Sequence, residues 1–548
     1  MRNKYLIADF FIDEPACLGV PPFMSPYPRY VYGALMDAGI NEDDIEYATA
    51  DYFRENNFLL NGDYKLVIII GGAVVPGKYL GYKIGTAAEI NRLISCNKNQ
   101  LFSVGGLISH VIENSGENII RVINDIEKFA FTFAAGSPAD TARNYDEIKK
   151  WSVYGAAVVK KHPDFPLIIC EIESYRGCPR QFHCSFCSES IKSRIEFREA
   201  GNIISEVQSL IDCGVSRFRI GSQPDILCYK SGLKEFRNGF PKPEISPLAE
   251  LFSGLKNLRD SFNLRTLNID NANPGTIYNF PDLSSEILSI IADSITPGDT
   301  LPLGVESFDP EVIRLNNLKG SRENMITAVE IINACGGRRI DGIPVLLPGI
   351  NLIHGLNGET ENTFRINYES LLEIQNRGLL LKRINIRKLL KFPGTPIAEM
   401  KYKISDKTRN RYDYFKEKIR SEIDHYMLQK VYPEGTVLKD VRIEEVHNGY
   451  SMGKQLQSYS ITNKIPADLK LKSLNDVIVT GYRERSLNSL PLPLKINSIS
   501  GKALQYIEGI SKKGSSEIIL KRPLKNKDEL LEISPNIKSL IVEKIDFS

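Results

Sequence analysis

RGCPRQFHCSFCSE, residues 176–189, places Cys178, Cys184 and Cys187 within ten residues in the spacing C-x5-C-x2-C, just after the apolar run Phe165 to Ile169. Three thiolates that close together on one loop can hold three irons of a 4Fe–4S cluster and leave the fourth iron open to a non-protein ligand. A four-ligand zinc knuckle is the alternative. It needs a fourth donor, for which His183 is adjacent and Cys170 lies upstream on an expected strand.

Composition narrows the setting. The chain has 548 residues, 42% of them apolar, which is material for three or four domains. No apolar run approaches the roughly 18 residues of a membrane span, and MRNKYLIADFFIDEPA reads as a strand followed by acids, not as a secretory leader. Nine cysteines, scattered except for the trio, fit a reducing compartment, so a cytoplasmic protein is expected. The net charge of +2 hides an asymmetry: residues 376–548 carry 33 Lys and Arg against 20 Asp and Glu, a net of +13, and residues 1–375 carry −11. A basic C-terminal part points to a polyanionic partner, or simply to a solvated surface.

The order of motifs around the trio resembles the radical S-adenosylmethionine (SAM) superfamily over roughly residues 165–400. Phe186 directly before the last Cys is similar to the cluster loop of those enzymes, although Pro179 to His183 number five residues where the usual spacing has three. The resemblance implies a partial (β/α)6 TIM barrel with its site at the strand carboxyl ends, a 4Fe–4S cluster on Cys178, Cys184 and Cys187, and bound SAM. Expected strands are Arg217 to Ile220, Thr266 to Asp270, Pro302 to Val305, Ile343 to Leu347 and Ile384 to Leu389, with a helix at Glu199 to Cys213. Gly221, Ser222 and Gln223, with Asp225, stand where the family receives the methionine amino group. Asp270 and Asn271, with Asn273, cap the third strand, in either a cofactor or a local Asx-turn role. Glu306 and Ser307 in Gly304-Val305-Glu306-Ser307 resemble a motif that reaches the SAM ribose or carboxylate. Arg339, beside Arg338, is a candidate partner for the SAM carboxylate. GLNGET (355–360) and FPGTP (392–396) are similar to turns after the fifth and sixth strands, and Thr360 is a candidate helix N-cap.

Residues 1–145 alternate strands (Tyr5 to Phe11, Val67 to Ile70, Phe102 to Val104) with helices (near Tyr30 to Asp37 and Ala87 to Leu93), the pattern of an open parallel α/β sheet. Gly71-Gly72 and Gly105-Gly106 end two strands, to admit a ligand or to make tight turns. In the superfamily this position often resembles a cobalamin-binding fold. The histidine motif for cobalamin is missing, since no His precedes His110, so cobalamin is allowed only without a His ligand. With only Cys17 and Cys96 upstream, a second cluster is not expected. The Pro-rich stretch Pro15 to Tyr30 is read as a lid, pocket wall or surface loop, too stiff for helix or central strand.

Residues 401–430 read as a basic linking helix and 431–497 as a small β-barrel resembling the TRAM module of methylthiotransferases. Residues 498–548 resemble a helix-hairpin-helix, with Gly509 to Gly514 opening a helix to Leu520 and Asn526 to Ile533 a second. Lys512, Lys513, Lys521 and Arg522 are its candidate nucleic-acid contacts; protein docking is the other use of such a hairpin.

The whole implies SAM cleavage to a 5′-deoxyadenosyl radical, with electrons from a donor such as ferredoxin or flavodoxin, and RNA (tRNA) as substrate. A cobalamin-dependent methyltransferase and a non-catalytic nucleic-acid-binding metalloprotein are the competing expectations.

Overall fold

The computed structural model describes residues 4–14, 16–72, 79–113, 116–137, 142–191 and 194–548. Near the N-terminus, Ile45–Thr49, Tyr5–Asp9, Leu66–Ile70, Phe102–Gly105 and Ile119–Arg121 form a five-stranded sheet in that order, parallel throughout. The inner strands, such as LVIII at Leu66–Ile70, are buried on both faces, as a sheet covered by helices requires. Thr86 caps the helix Ala87–Cys96 in a capping box with Glu89.

The stretch 15–30 departs from expectation; Pro15 itself lies outside the described residues. Pro26 and Pro28 open the helix Pro26–Asp37, where the first-turn N–H groups have no helical acceptor and proline loses nothing. Phe23–Met24 pairs in parallel with Ile169–Cys170, so the N-terminal part supplies an edge strand to the next body.

That body is a partial TIM barrel. Its six parallel strands are Ile169–Glu173, Arg217–Gly221, Thr266–Ile269, Asp299–Glu306, Leu346–His354 and Arg383–Lys388. They form two sheets joined by the bridge between Ala272 and Leu303, and the arc stays open between Arg383–Lys388 and Phe23–Met24. The first strand starts at Ile169, later than the apolar run suggests. The fifth starts at Leu346, because Ile343–Pro344 pairs antiparallel with Arg339–Ile340 instead. Phe218, Ile220, Leu267 and Ile269 are buried in the hydrophobic core. Arg219, between Glu171 and Asn268 in register, belongs to a polar layer on the alternate face.

A helix runs from Asp406 to Val431 through a π-turn at Arg420–Asp424. Beyond it, Val437–His447, Tyr450–Gln455, Thr462–Ile465, Ser486–Pro491 and Leu474–Tyr482 close a five-stranded barrel. It docks on the amino-terminal end of the larger barrel: Thr266 Oγ1 donates to the Leu456 carbonyl (2.8 Å), and the Ser458 N–H to Asn268 Oδ1 (2.8 Å). Buried Arg442 reaches Asp164 (2.6 Å) and the Tyr82 hydroxyl (3.0 Å), tying three parts of the chain together.

The last residues form four short helices, Gly501–Leu504, Lys512–Lys521, Lys527–Ile533 and Ser539–Val542. The second and third lie where the sequence puts a helix to Leu520 and one over Asn526 to Ile533, and at the turn before the second a Cβ on Gly509 (φ +94°) would lie 2.5 Å from the Asn536 carbonyl. Among the described residues no helix is long and apolar enough to cross a membrane.

Candidate active site

The loop with the three cysteines leaves the carboxyl end of the first barrel strand and is pinned at its base. Tyr175–Arg176 pairs antiparallel with Glu196–Phe197, and a Cβ on Gly177 (φ +88°) would strike the Arg194 carbonyl at 2.4 Å. Glu173 anchors this base, accepting from Tyr145 (3.0 Å) and pairing with Arg143 and Arg176, which hold its carboxyl far below the usual range against the cost of burial. Within the loop, the Cys187 N–H donates to the Cys184 carbonyl (3.2 Å), Ser185 bonds Asn316 through backbone and side chain, and Ile397 N–H donates to the Ser185 carbonyl.

Cys178, Cys184 and Cys187 all line one cavity of about 1960 Å³, together with Phe186. Val312, Leu318, Leu356 and Ile397 back the loop with apolar surface. Burial pushes the Cys178 thiol up to about 11 and the Cys187 thiol higher still, so metal loading must displace held protons. Buried Arg180 lies across Phe240 and donates to Cys184 Sγ (3.0 Å) and to the Asn317 carbonyl (3.2 Å). A zinc knuckle is not assembled: Cys170 is buried in the core, His183 Nε2 sits 3.3 Å from the Cys178 carbonyl, and among the described residues no three His, Cys, Asp or Glu side chains gather to hold one ion.

The remaining candidates divide. Asp270, Asn271 and Glu306 line the cavity. Glu306 is buried, held in the left-handed region (φ +66°), and 3.7 Å from Lys319 Nζ. Asp270 is ion-paired with Arg219. Asn273 takes its Asx role, capping Pro274–Asn279 by accepting from the Gly275 N–H (3.1 Å).

Five of the expected residues are bonded within the protein. Gln223 is fully buried and spent: its amide oxygen accepts from Ser174 (3.0 Å), and its NH2 donates to the Ile220 and Asp270 carbonyls, stitching three strands together. Gly221 and Ser222 close on Glu171 instead of a ligand; a Cβ on Gly221 would lie 2.4 Å from Glu171 Oε1, which accepts from the Ser222 N–H (3.0 Å). Ser307 accepts from the Asp309 N–H (3.1 Å) and donates to Asn367. Arg339 precedes its strand, so it sits at the amino-terminal end, donating to the Lys430, Val431 and Gly342 carbonyls. Two cations lie near the thiols, Arg180 and Lys319, and neither is marked in the sequence; Lys319 lies in a loop without a motif.

At the C-terminus, Lys512 and Lys513 are exposed at the start of their helix. Lys521 pairs with Glu517 (3.0 Å), and Arg522 is turned inward to the Ile499 carbonyl (2.6 Å).

The radical SAM superfamily model matches residues 172–369, which take in the thiol loop, four of the six barrel strands and the end of the first. The chain carries a radical SAM domain. An uncharacterized protein of Methanocaldococcus jannaschii is 39% identical over 89% of this chain and 93% of its own length, and one of Archaeoglobus fulgidus is 36% identical over 96% and 97%. The ribosomal protein uS12 methylthiotransferase RimO of Salmonella arizonae is 23% identical over 63% of this chain and 79% of its own. Among solved structures, the radical SAM methyltransferase TsrM of Kitasatospora setae, with cobalamin and a 4Fe–4S cluster bound, has a TM-score of 0.48 at 15% identity, covering 72% of this chain and 74% of that one.

Radical SAM enzymes use a 4Fe–4S cluster and SAM, and the residues here fit both. Three thiols line one cavity, Arg180 donates to one sulfur, and Lys319 beside Glu306 offers the cation that an amino-acid carboxylate needs.

Proposed function

We propose that this radical SAM enzyme modifies a nucleotide of a structured RNA held between its catalytic and C-terminal barrels. The observation that carries this reading is that Lys454 and Tyr459 of the small barrel and its following loop line the same cavity as Cys178, Cys184 and Cys187. An accessory module that reaches the reaction chamber, within the segment 376–548 of net charge +13, suits a polyanionic substrate.

The cluster and SAM, when bound, supply a 5′-deoxyadenosyl radical that abstracts a hydrogen atom. The chain's own residues do the rest. Lys319 and Glu306 orient the amino-acid end of SAM, Arg180 donates to the Cys184 sulfur, and Asp270 with Asn271 shapes the chamber floor. Loop 456–460 closes the amino-terminal mouth of the barrel and keeps bulk water from that side. Electrons come from a donor such as ferredoxin or flavodoxin.

Binding of bulk tRNA followed by fluorescence anisotropy between 50 and 300 mM salt (about that range) tests the substrate class. Affinity falling steeply with salt supports RNA; absent or salt-insensitive binding removes it.

Cobalamin-dependent methyl transfer is the second reading, favoured by size: a ligand pocket ordinarily spans about 300–1,000 Å³, and this cavity exceeds that. The N-terminal sheet edge fits cobalamin poorly. Its glycines serve packing, since a Cβ on Gly106 would meet the Gly71 carbonyl at 2.3 Å and one on Gly105 would meet Ile126 at 2.5 Å. His110 lies edge-on to Phe392. Reconstitution with cobalamin and a visible spectrum decides between the readings; no uptake removes this one.

A further inference from the structure

The sixth barrel strand, Arg383–Lys388, reads RINIRK, and Arg383 and Arg387, two residues apart twice over, share one face of it. Both line the cavity, as does Lys454 from the small-barrel strand Tyr450–Gln455. All three are half-buried, and among the described residues none of the three makes an ion pair within 4 Å or a side-chain hydrogen bond. Of the acids near them, Asp13 accepts from the Tyr79 hydroxyl (2.5 Å) and, with Glu306, raises the proton affinity of Arg387 against the cost of burial, while Glu444 accepts from Arg442 (2.9 Å) and Asp424 faces Arg485 (3.7 Å).

Like charges partly removed from water repel one another, and burial lowers the proton affinity of both Arg383 and Lys454. The fold nonetheless holds Arg383 in place. Its guanidinium lies over the Tyr459 ring at 4.7 Å, and Arg219 lies over the same ring at 5.5 Å. Flanked by two guanidinium groups, Tyr459 is not free to stack a base; it positions the arginine instead. Two planar forks and an ammonium put three positive charges around one space, more than Asp13 and a Glu306 shared with Lys319 balance, and suited to a phosphate.

We propose that Arg383, Arg387 and Lys454 form a phosphate subsite that anchors the substrate on the open side of the barrel, in the cavity that the thiols also line. The inference rests on reading the cavity as the substrate chamber, and it names what the substrate must carry: a phosphodiester of RNA, or the phosphate of a small molecule.

The test needs no cluster. Inorganic pyrophosphate is titrated into the full-length protein by calorimetry, and the expectation is saturable binding, weakened at least tenfold in Arg387→Gln and in Lys454→Met. Circular dichroism verifies that each variant is folded, and Arg365→Gln, exposed and outside the cavity, leaves the affinity unchanged. Pyrophosphate that fails to bind, or binds equally to both cavity variants, overturns the subsite. Competition by a short oligoribonucleotide, lost when its linkages are methylphosphonates, assigns the phosphate to RNA; no competition assigns it to a small phosphorylated molecule. Because 5′-deoxyadenosine formation is scored separately, pyrophosphate binding without SAM cleavage would sink the catalytic reading and leave the subsite standing.

Discussion

Arg180 Nη1 lies 3.0 Å from Cys184 Sγ, with the guanidinium buried against Phe240 and its other nitrogen on the Asn317 carbonyl. Hydrogen bonds and charge at cluster sulfurs set reduction potential, so Arg180→Met removes both at once. We expect a midpoint on the order of 60 mV more negative, a tenfold change for a one-electron couple. A redox titration followed by electron paramagnetic resonance measures it; an unchanged midpoint would mean that the guanidinium serves packing alone.

Lys319 stands 3.7 Å from Glu306 in the cavity that holds the thiols, and Glu306 keeps a left-handed backbone that costs roughly 1–3 kcal/mol. Replacing Lys319 by Met removes the cation for the SAM carboxylate. SAM affinity should fall by roughly 1.5–3 kcal/mol, the worth of a hydrogen bond to a charged group, and equilibrium dialysis of reconstituted protein reads it. Native affinity in the variant would transfer the role to another residue.

Glu206 joins the catalytic barrel to the N-terminal part. Its two oxygens take Arg29 (2.8 Å) and Arg198 (2.7 Å), all three side chains fully buried. Glu206→Gln leaves two buried guanidinium groups short of countercharge, and a loss of about 3–5 kcal/mol in urea unfolding follows. A loss under about 1 kcal/mol would show that water reaches the site.

His162 is buried, its Nδ1 accepting from the Asp164 N–H (3.1 Å), and burial lowers its pKa to about 4. The unfolded chain binds a proton near pH 6.5, so this histidine's contribution is full above that value and lost as pH falls toward 4. About 2 of roughly 3 kcal/mol should be gone at pH 5. His162→Asn keeps an acceptor for the Asp164 N–H without the titration, so urea unfolding at pH 7 and pH 5 should show the native protein losing more than the variant. Equal losses would place the titration elsewhere.

Local chemistry made much of this legible. The thiol spacing, the alternation of apolar strands and helices, and the Gly509 hairpin are written in neighbouring residues, and the strands formed within a few positions of where the pattern puts them. Arg339 misled because chain proximity to a strand does not say which end it occupies; a residue before a barrel strand lies at the end away from the chemistry. Gln223 shows that a motif tells which groups are polar, not which are already bonded. The pairing of Arg383 with Tyr459, and the reach of Arg442 to Tyr82, depend on how the small barrel docks, which no local pattern encodes.

The most direct measurement is anaerobic reconstitution with iron and sulfide, followed by reduction with SAM and quantitation of 5′-deoxyadenosine. The native chain should hold close to four irons, an estimate from the cluster type, and release 5′-deoxyadenosine, while Cys184→Ala should do neither. Native protein that binds a single metal ion, or a cluster that leaves SAM intact, would contradict the account.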